Sequence, residues 1–327
     1  MSLADLTPGE RRQIRSAPTP RFVEPMKAVL TDERFSDPAW IFERKLDGIR
    51  CIAIKSNGAV RLLSRNDLSL NGRYPEVAAA LERDRADDIV VDGEVVAFEG
   101  SRTSFAKLAR RGRERVAVFL YVFDMMHLDG HDIRGLPLRA RKRLLRRALD
   151  FVGPVRLTPY RNRDGEALYR EACRKGWEGL IAKRAESRYT SERSRDWLKF
   201  KCSAEQELVV GGFTAPKGSR VELGALLVGY FEDGRLRYAG KVGTGFDRDT
   251  LRDLSRRLRP LRRERSPFVE ADLRGRDVTW VEPELVVQVG FSEWTRDGRL
   301  RHPRFLGLRE DKDAREVARE RPAAAAS

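Results

Sequence analysis

At 327 residues, with 41% hydrophobic and 35% charged residues, the chain is long enough for two globular domains with separate cores. Its formal net charge of +15, carried more by arginine than by lysine, points to a polyanionic partner, although an arginine-biased composition alone would give the same excess. No apolar run approaches a membrane span and no signal-peptide pattern is present, so the chain reads as a soluble cytoplasmic protein with no membrane partner.

Residues 1–20 carry Pro8, Pro18 and Pro20 among scattered charges and read as a flexible leader with a short helix around 10–15. Next, Trp40-Ile41-Phe42 leads into Glu43-Arg44-Lys45-Leu46-Asp47-Gly48-Ile49-Arg50, and Cys51-Ile52-Ala53-Ile54 leads out. This predicts strand, tight turn at Gly48, strand, with Lys45 at the first strand's end. An amine, a nearby carboxylate (Asp47) and a guanidinium (Arg50) suit a covalent lysine, or else an ordinary solvated hairpin. A third strand, 60–64, delivers Arg65 and Asn66 toward the same place.

Helical spacing follows at 74–81. The apolar run 89–98 reads as a buried strand pair pinched at Asp92-Gly93, and Glu94 inside it needs a partner because isolated buried charge is costly. That makes Glu94 a candidate for binding ribose hydroxyls or metal. A short helix at 105–109 precedes a strand at 116–124, rich in β-branched and aromatic residues, whose aromatics suit either stacking on a purine or plain core packing. Pattern does not choose between Phe119 and Phe123. Amphipathic helices are predicted at 138–149 and 164–174, and strands at 178–182 and 197–201; in the last, alternation puts Lys199 and Lys201 on one face and Phe200 on the other.

A boundary falls near 202–205. Beyond it, strands at 208–213, 225–231, 236–242, 278–281 and 285–291 with one helix at 250–258 suit a small Greek-key barrel of the OB type. Lys and Arg outnumber Asp and Glu by 41 to 29 up to residue 202 and by 24 to 21 afterwards, so most of the positive excess lies on the first domain. Cys51, Cys173 and Cys202 lack CxxC spacing, which argues against a disulfide framework or zinc site, and the Leu-Asp-Gly between His127 and His131 marks both as surface residues. There is no GxxxxGK[ST] run, so a P-loop is disfavoured.

Lys45-Leu46-Asp47-Gly48-Ile49-Arg50, Asp92-Gly93-Glu94, Glu178-Gly179-Leu180-Ile181-Ala182-Lys183 and Trp197-Leu198-Lys199-Phe200-Lys201 occur in that order. Together they resemble the motif set of the covalent nucleotidyltransferases: ATP-dependent DNA ligases, RNA ligases and mRNA capping enzymes. With Ser64-Arg65-Asn66, Lys241–Phe246 and Arg301–Arg309 included, residues 20–318 resemble the ligase module of bacterial end-joining DNA ligases. Ser191-Glu192 stands where that family leads one to expect Gly-Arg, which puts the grip on DNA there in doubt.

The resemblance implies an α+β chain: a nucleotidyltransferase domain of ATP-grasp-like antiparallel sheets with helices (21–202), then a C-terminal OB-fold β-barrel (203–318) and a disordered tail (319–327). It implies sealing of 5′-phosphate/3′-hydroxyl breaks through a lysyl-AMP intermediate, with Lys45 as nucleophile and ATP and Mg²⁺ or Mn²⁺ as cofactors. Lys199 and Lys201 would depress the lysine's pKa by like charge and stabilise charge on the phosphate. Asp47 and Glu178 would hold the metal. Glu43 falls to the adenine side, Phe123 to base stacking, Glu94 and Arg50 to the ribose, Arg65 to a phosphate, and Arg309 and Lys312 to the pyrophosphate. Implied partners are nicked or broken duplex DNA, a Ku-type end-binding protein and a repair polymerase, with the chain itself a monomer near the nucleoid. An RNA ligase, a GTP-using capping enzyme and a silent DNA-end-binding module are the competing readings.

Overall fold

The computed structural model describes residues 3, 6–112, 114–216, 222–269 and 277–322. The chain divides into one unit running to Cys202 and a second from Ser203 to Arg321.

The first unit contains two sheets. The larger runs Arg15–Ser16, His131–Asp132, Val118–Leu128, Ile89–Glu99, Ile49–Ser56, Ala59–Ser64, with Val155–Leu157 and Arg102–Thr103 attached to its long strands. Strand residues on one of its faces, such as Ile49, Val91, Val95, Leu120 and Val122, pack with Val77 and Leu81 of the Pro75–Glu82 helix and Leu144 of the Leu138–Ala148 helix. On the other face Ile52, Ile54, Val90 and Phe123 meet Tyr189 and Trp197. The smaller sheet runs Tyr160–Arg161, Trp40–Lys45, Gly179–Arg184, Arg193–Lys201, Lys27–Leu30. The period-2 alternation of a strand divides its faces. Trp40, Phe42, Leu180, Ala182 and Phe200 pack on Leu168 and Ala172 of the Gly165–Arg174 helix, which leaves Glu43, Lys45, Lys199 and Lys201 for the opposite face.

Five expectations are corrected. The start of the expected disordered tail is held by the second unit, where the Glu320 amide donates to Gln206 Oε1 at 3.0 Å and Arg321 pairs with Glu232, while residues 323–327 lie outside the described residues. Residues 89–98 are one strand, Ile89–Glu99, rather than a pinched pair. Gly93 serves a bulge: register shifts beside it, and a Cβ there would lie 2.8 Å from the Tyr121 carbonyl oxygen. The described part of the leader is packed rather than loose. Leu6 is buried in the main core, Arg15–Ser16 pairs with His131–Asp132, and Thr7 with Glu10 forms a capping box on the Pro8–Arg11 helix. His127 is buried, with Nε2 3.2 Å from Asp88, because it sits inside the Val118–Leu128 strand and not in the loop after it. Cys173 and Cys202 form a disulfide, since the end of the Gly165–Arg174 helix brings their Cα atoms to 5.2 Å, a proximity that sequence spacing does not reveal.

The second unit is built on the long Ala204–Thr214 strand. Its first half pairs with Val286–Phe291, its second half with Leu226–Glu232 and Val278–Val281. Arg235–Val242 and Arg304–Leu308 extend the two ends, and Leu251, Leu254 and Leu258 of the Arg248–Leu258 helix enter the core. One strand shared between two halves is how a small OB-type barrel closes without a wide flat sheet.

Candidate active site

Lys45 ends its strand opposite Gly179, and Gly179 is opposite Lys201 on the next strand; one row up, Glu43, Ile181 and Lys199 are aligned in the same way. Gly179 has φ +150°, and a Cβ on it would lie 1.9 Å from the Phe200 carbonyl oxygen, so only glycine lets the three strands close behind the lysines. After Lys45 the chain turns through Gly48, where a Cβ would meet the Val95 carbonyl oxygen at 2.2 Å. Asp47 fixes that turn: its amide donates to Thr103 Oγ1 at 3.1 Å, and its Oδ2 accepts from the Phe105 amide at 2.9 Å.

The Lys45 ammonium, 19% exposed, donates to Glu178, 8% exposed. Burial alone would push the lysine's pKa down. Glu178, with Asp47 and Glu94 beyond it, outweighs burial and raises the pKa above its ordinary value. This overturns the expected depression by Lys199 and Lys201: three carboxylates act on the amine, and the two lysines are not among its main influences.

Arg50 grips the fully buried Asp92 through Nε and Nη2, each at 2.5 Å, and Nη2 also donates to the Met26 carbonyl. The Tyr189 hydroxyl donates to Asp92 Oδ2 at 2.7 Å and accepts from the Met26 amide at 3.0 Å. Glu94 is opposite Arg50 in register. Phe123 is buried, 4.9 Å from the Arg50 guanidinium and 4.0 Å from Lys183 Nζ, measured to its ring centre. Phe119, the aromatic that pattern could not separate from it, packs instead on Phe98 and Arg156.

Two lysines outside the predicted set hold Glu43. Lys142 donates to Glu43 Oε1 and to the Phe123 carbonyl at 2.9 Å, and Lys183 Nζ lies 2.7 Å from Glu43 Oε2. Burial pushes the Lys183 ammonium down to about 8, against the pull of Glu43, and Lys142 adds to the depression. Lys183 is findable from sequence, since 179, 181 and 183 share a strand face. Lys142 sits on an arginine-studded helix with no local signal. Arg65 follows the Ala59–Ser64 strand in a turn held by the Asp67 amide donating to the Ser64 carbonyl.

In the second unit, Arg309 is buried against Asp311 at 2.8 and 2.9 Å, and Lys312 pairs with Glu207 at 3.1 Å. The Arg309 guanidinium holds Asp311, which burial would raise, below its usual carboxylate range.

A buried-flank lysine among carboxylates, on the face of a two-sheet domain followed by an OB-type barrel, defines a nucleotidyltransferase-type ligase fold. The chain belongs to the ATP-dependent DNA ligase family: residues 20–201 match the ATP dependent DNA ligase domain and residues 219–312 the ATP dependent DNA ligase C terminal region. It is 40% identical over 316 residues to the multifunctional non-homologous end joining protein LigD of Pseudomonas aeruginosa, covering 94% of this chain and 38% of that protein. It is likewise 40% identical over 290 residues to LigD of Mycobacterium tuberculosis, covering 86% and 37%. The chain therefore spans less than two fifths of these relatives' length. A solved structure of mycobacterial DNA ligase D complexed with ATP and MES superposes with a TM-score of 0.66 at 35% identity, over 91% of this chain and 98% of that one.

Proposed function

We propose that this chain joins 5′-phosphate and 3′-hydroxyl ends in duplex DNA, using ATP, with Lys45 as the residue that carries AMP. The observation that carries the reading is Lys45 itself, at a strand end on the charged face, hydrogen-bonded to Glu178 and in line with Lys201, in a chain of the DNA ligase family. The Lys45 amine attacks the α-phosphorus of ATP. An N–P bond forms, the bridging P–O bond breaks and pyrophosphate leaves, while Glu178 is the acceptor hydrogen-bonded to the departing proton. AMP then passes to the 5′-phosphate at the break, and the 3′-hydroxyl displaces it. Lys199 and Lys201 stabilise charge on the phosphate oxygens.

In the same reading Phe123 stacks the base, Glu43 faces its edge, and Glu94 with Arg50 holds the ribose. Arg65 takes a phosphate, and Arg309 and Lys312 keep the pyrophosphate role that the family resemblance implies. The oxygen donors Asp47 and Glu178 fit Mg²⁺ or Mn²⁺. Among the described residues no three acidic, histidine or cysteine groups gather closely enough to hold a metal by themselves, so phosphate oxygens and water would complete the shell, which suits Mg²⁺. Such a cation supplies charge neutralisation at the carboxylates and phosphates, and thereby lowers the lysine's proton affinity.

The end-joining names of the relatives support action at double-strand breaks. As part of the same proposal, the chain works as a monomer in the bacterial cytoplasm at the nucleoid, beside a Ku-type end-binding protein and a repair polymerase. No helix among the described residues is long and apolar enough to cross a membrane. The test is sealing of a nicked duplex, with the same nick in RNA alongside. ATP-dependent sealing of DNA in preference to RNA is expected. Sealing of RNA alone, or of neither, would contradict the proposal.

A further inference from the structure

On the edge of the larger sheet lies a cavity of about 360 Å³ lined by Arg12, Arg15, Arg134 and Arg188, together with Asp132 and Tyr189. The arginines come from three separate stretches: the packed N-terminal segment, the turn after His131–Asp132, and the connection between the Gly179–Arg184 and Arg193–Lys201 strands. Asp132 accepts from Arg134 three times, from its backbone amide at 3.0 Å and its guanidinium at 2.9 and 2.7 Å. Among the described residues, Arg12, Arg15 and Arg188 have no carboxylate within ion-pair distance. Their side chains are exposed at the rim, so a ligand meets three hydrated guanidinia without first having to break an ion pair.

The arrangement is specified by the fold. Arg15 is opposite Asp132 in register, and the N-terminal segment crosses so close to Gly135 that a Cβ there would lie 2.4 Å from the Gln13 carbonyl oxygen. Arg12 and Arg15 precede the stretch matched by the ligase-domain family model, which begins at residue 20.

Unpaired guanidinia around one cavity select phosphate oxygens. A free nucleotide would need a wall for its base. Among the described residues the one aromatic lining the cavity, Tyr189, is buried and its hydroxyl is committed to Asp92. Guanidinia spread over three segments instead match successive phosphates of a strand. We propose that this pocket binds backbone phosphates of duplex DNA flanking the break, as a positioning site behind the Asp92–Arg50 pair, to which Tyr189 links it; the proposal rests on the DNA-sealing reading above.

The test compares wild type with an Arg12→Gln/Arg15→Gln/Arg188→Gln variant and with Gly135→Ala. Binding to a fluorescent nicked duplex is titrated at salt concentrations from about 50 to 200 mM. Covalent labelling by ATP is measured on the same samples, and reports an intact fold. The triple variant is expected to label normally and to bind the duplex on the order of tenfold more weakly near 0.1 M salt. Its salt dependence should be shallower by about one unit of log–log slope for each phosphate that an arginine no longer neutralises. Gly135→Ala, which displaces the segment without removing a charge, should weaken binding to a lesser degree. Unchanged duplex affinity and slope would overturn the proposal. So would unchanged duplex affinity with a raised ATP requirement, which would make this a nucleotide-phosphate site. Failure of wild type to label with ATP or to seal would instead refute the ligase reading, while the affinity difference would still decide the pocket.

Discussion

Replacing Glu178 by glutamine should make Lys45 easier to deprotonate. The lysine's raised pKa is a balance in which burial pulls down and Glu178 pulls up hardest, with Asp47 and Glu94 adding to it. A contact ion pair near a protein surface is worth about 4 kcal/mol, or about 3 pKa units. Lys45 is 19% exposed and Glu178 8%, so screening reduces this, and a fall of about 1.5 to 3 units is expected. Competitive acylation with mass-spectrometric readout, from about pH 7 to 11 without ATP or metal, measures it directly. Wild-type Lys45 should stay less reactive than an exposed lysine throughout, and in Glu178→Gln its reactivity should rise at clearly lower pH. An unmoved or upward-shifted profile would show that Glu178 does not hold the proton on Lys45. Lys201→Ala should shift the profile much less; a larger shift there would restore like-charge depression as the controlling effect.

Further outcomes follow from the same structure. Lys183 titrates near 8 when folded, below the unfolded value near 10.4, so between these values the unfolded chain holds the extra proton and stability rises with pH. Relative to Lys183→Met, wild type should gain up to about 3 kcal/mol across that window in denaturant melts; a flat difference would contradict the assigned burial. Gly179→Ala, with its Cβ 1.9 Å from the Phe200 carbonyl oxygen, should abolish ATP labelling although every charged residue of the site remains, and normal labelling would show that the strands close differently. The Cys173–Cys202 bridge closes a loop spanning 29 residues, worth about 3–4 kcal/mol, so reductant should destabilise wild type and leave Cys173→Ser, already lower, unmoved.

Much of this is legible along the chain because it depends on local periodicity. The strand ending at Lys45 and the pairing of Lys199 with Lys201 follow from alternation, and Gly48 marks the turn between strands. What stays hidden depends on residues distant in sequence. Asp92 looks like part of a turn, yet it is the buried partner of Arg50, 42 positions away. Lys142 reaches Glu43 across 99 positions, and nothing in an arginine-studded helix distinguishes it from its neighbours. The sign of the Lys45 shift is misread from sequence for the same reason: the lysines are visible as a pattern, whereas the converging carboxylates come from separate strands and turns. The N-terminal segment looks loose because its order comes from one edge pairing and the buried Leu6.

Lys45 as the carrier of AMP is tested by covalent labelling. Wild type and Lys45→Ala, both first stripped with pyrophosphate, are incubated with α-labelled ATP or GTP and a divalent cation, then resolved on a denaturing gel. Label is expected from ATP and not GTP, absent in Lys45→Ala and discharged from wild type by nicked DNA. Label persisting in Lys45→Ala, or no label on stripped wild type, would contradict that assignment.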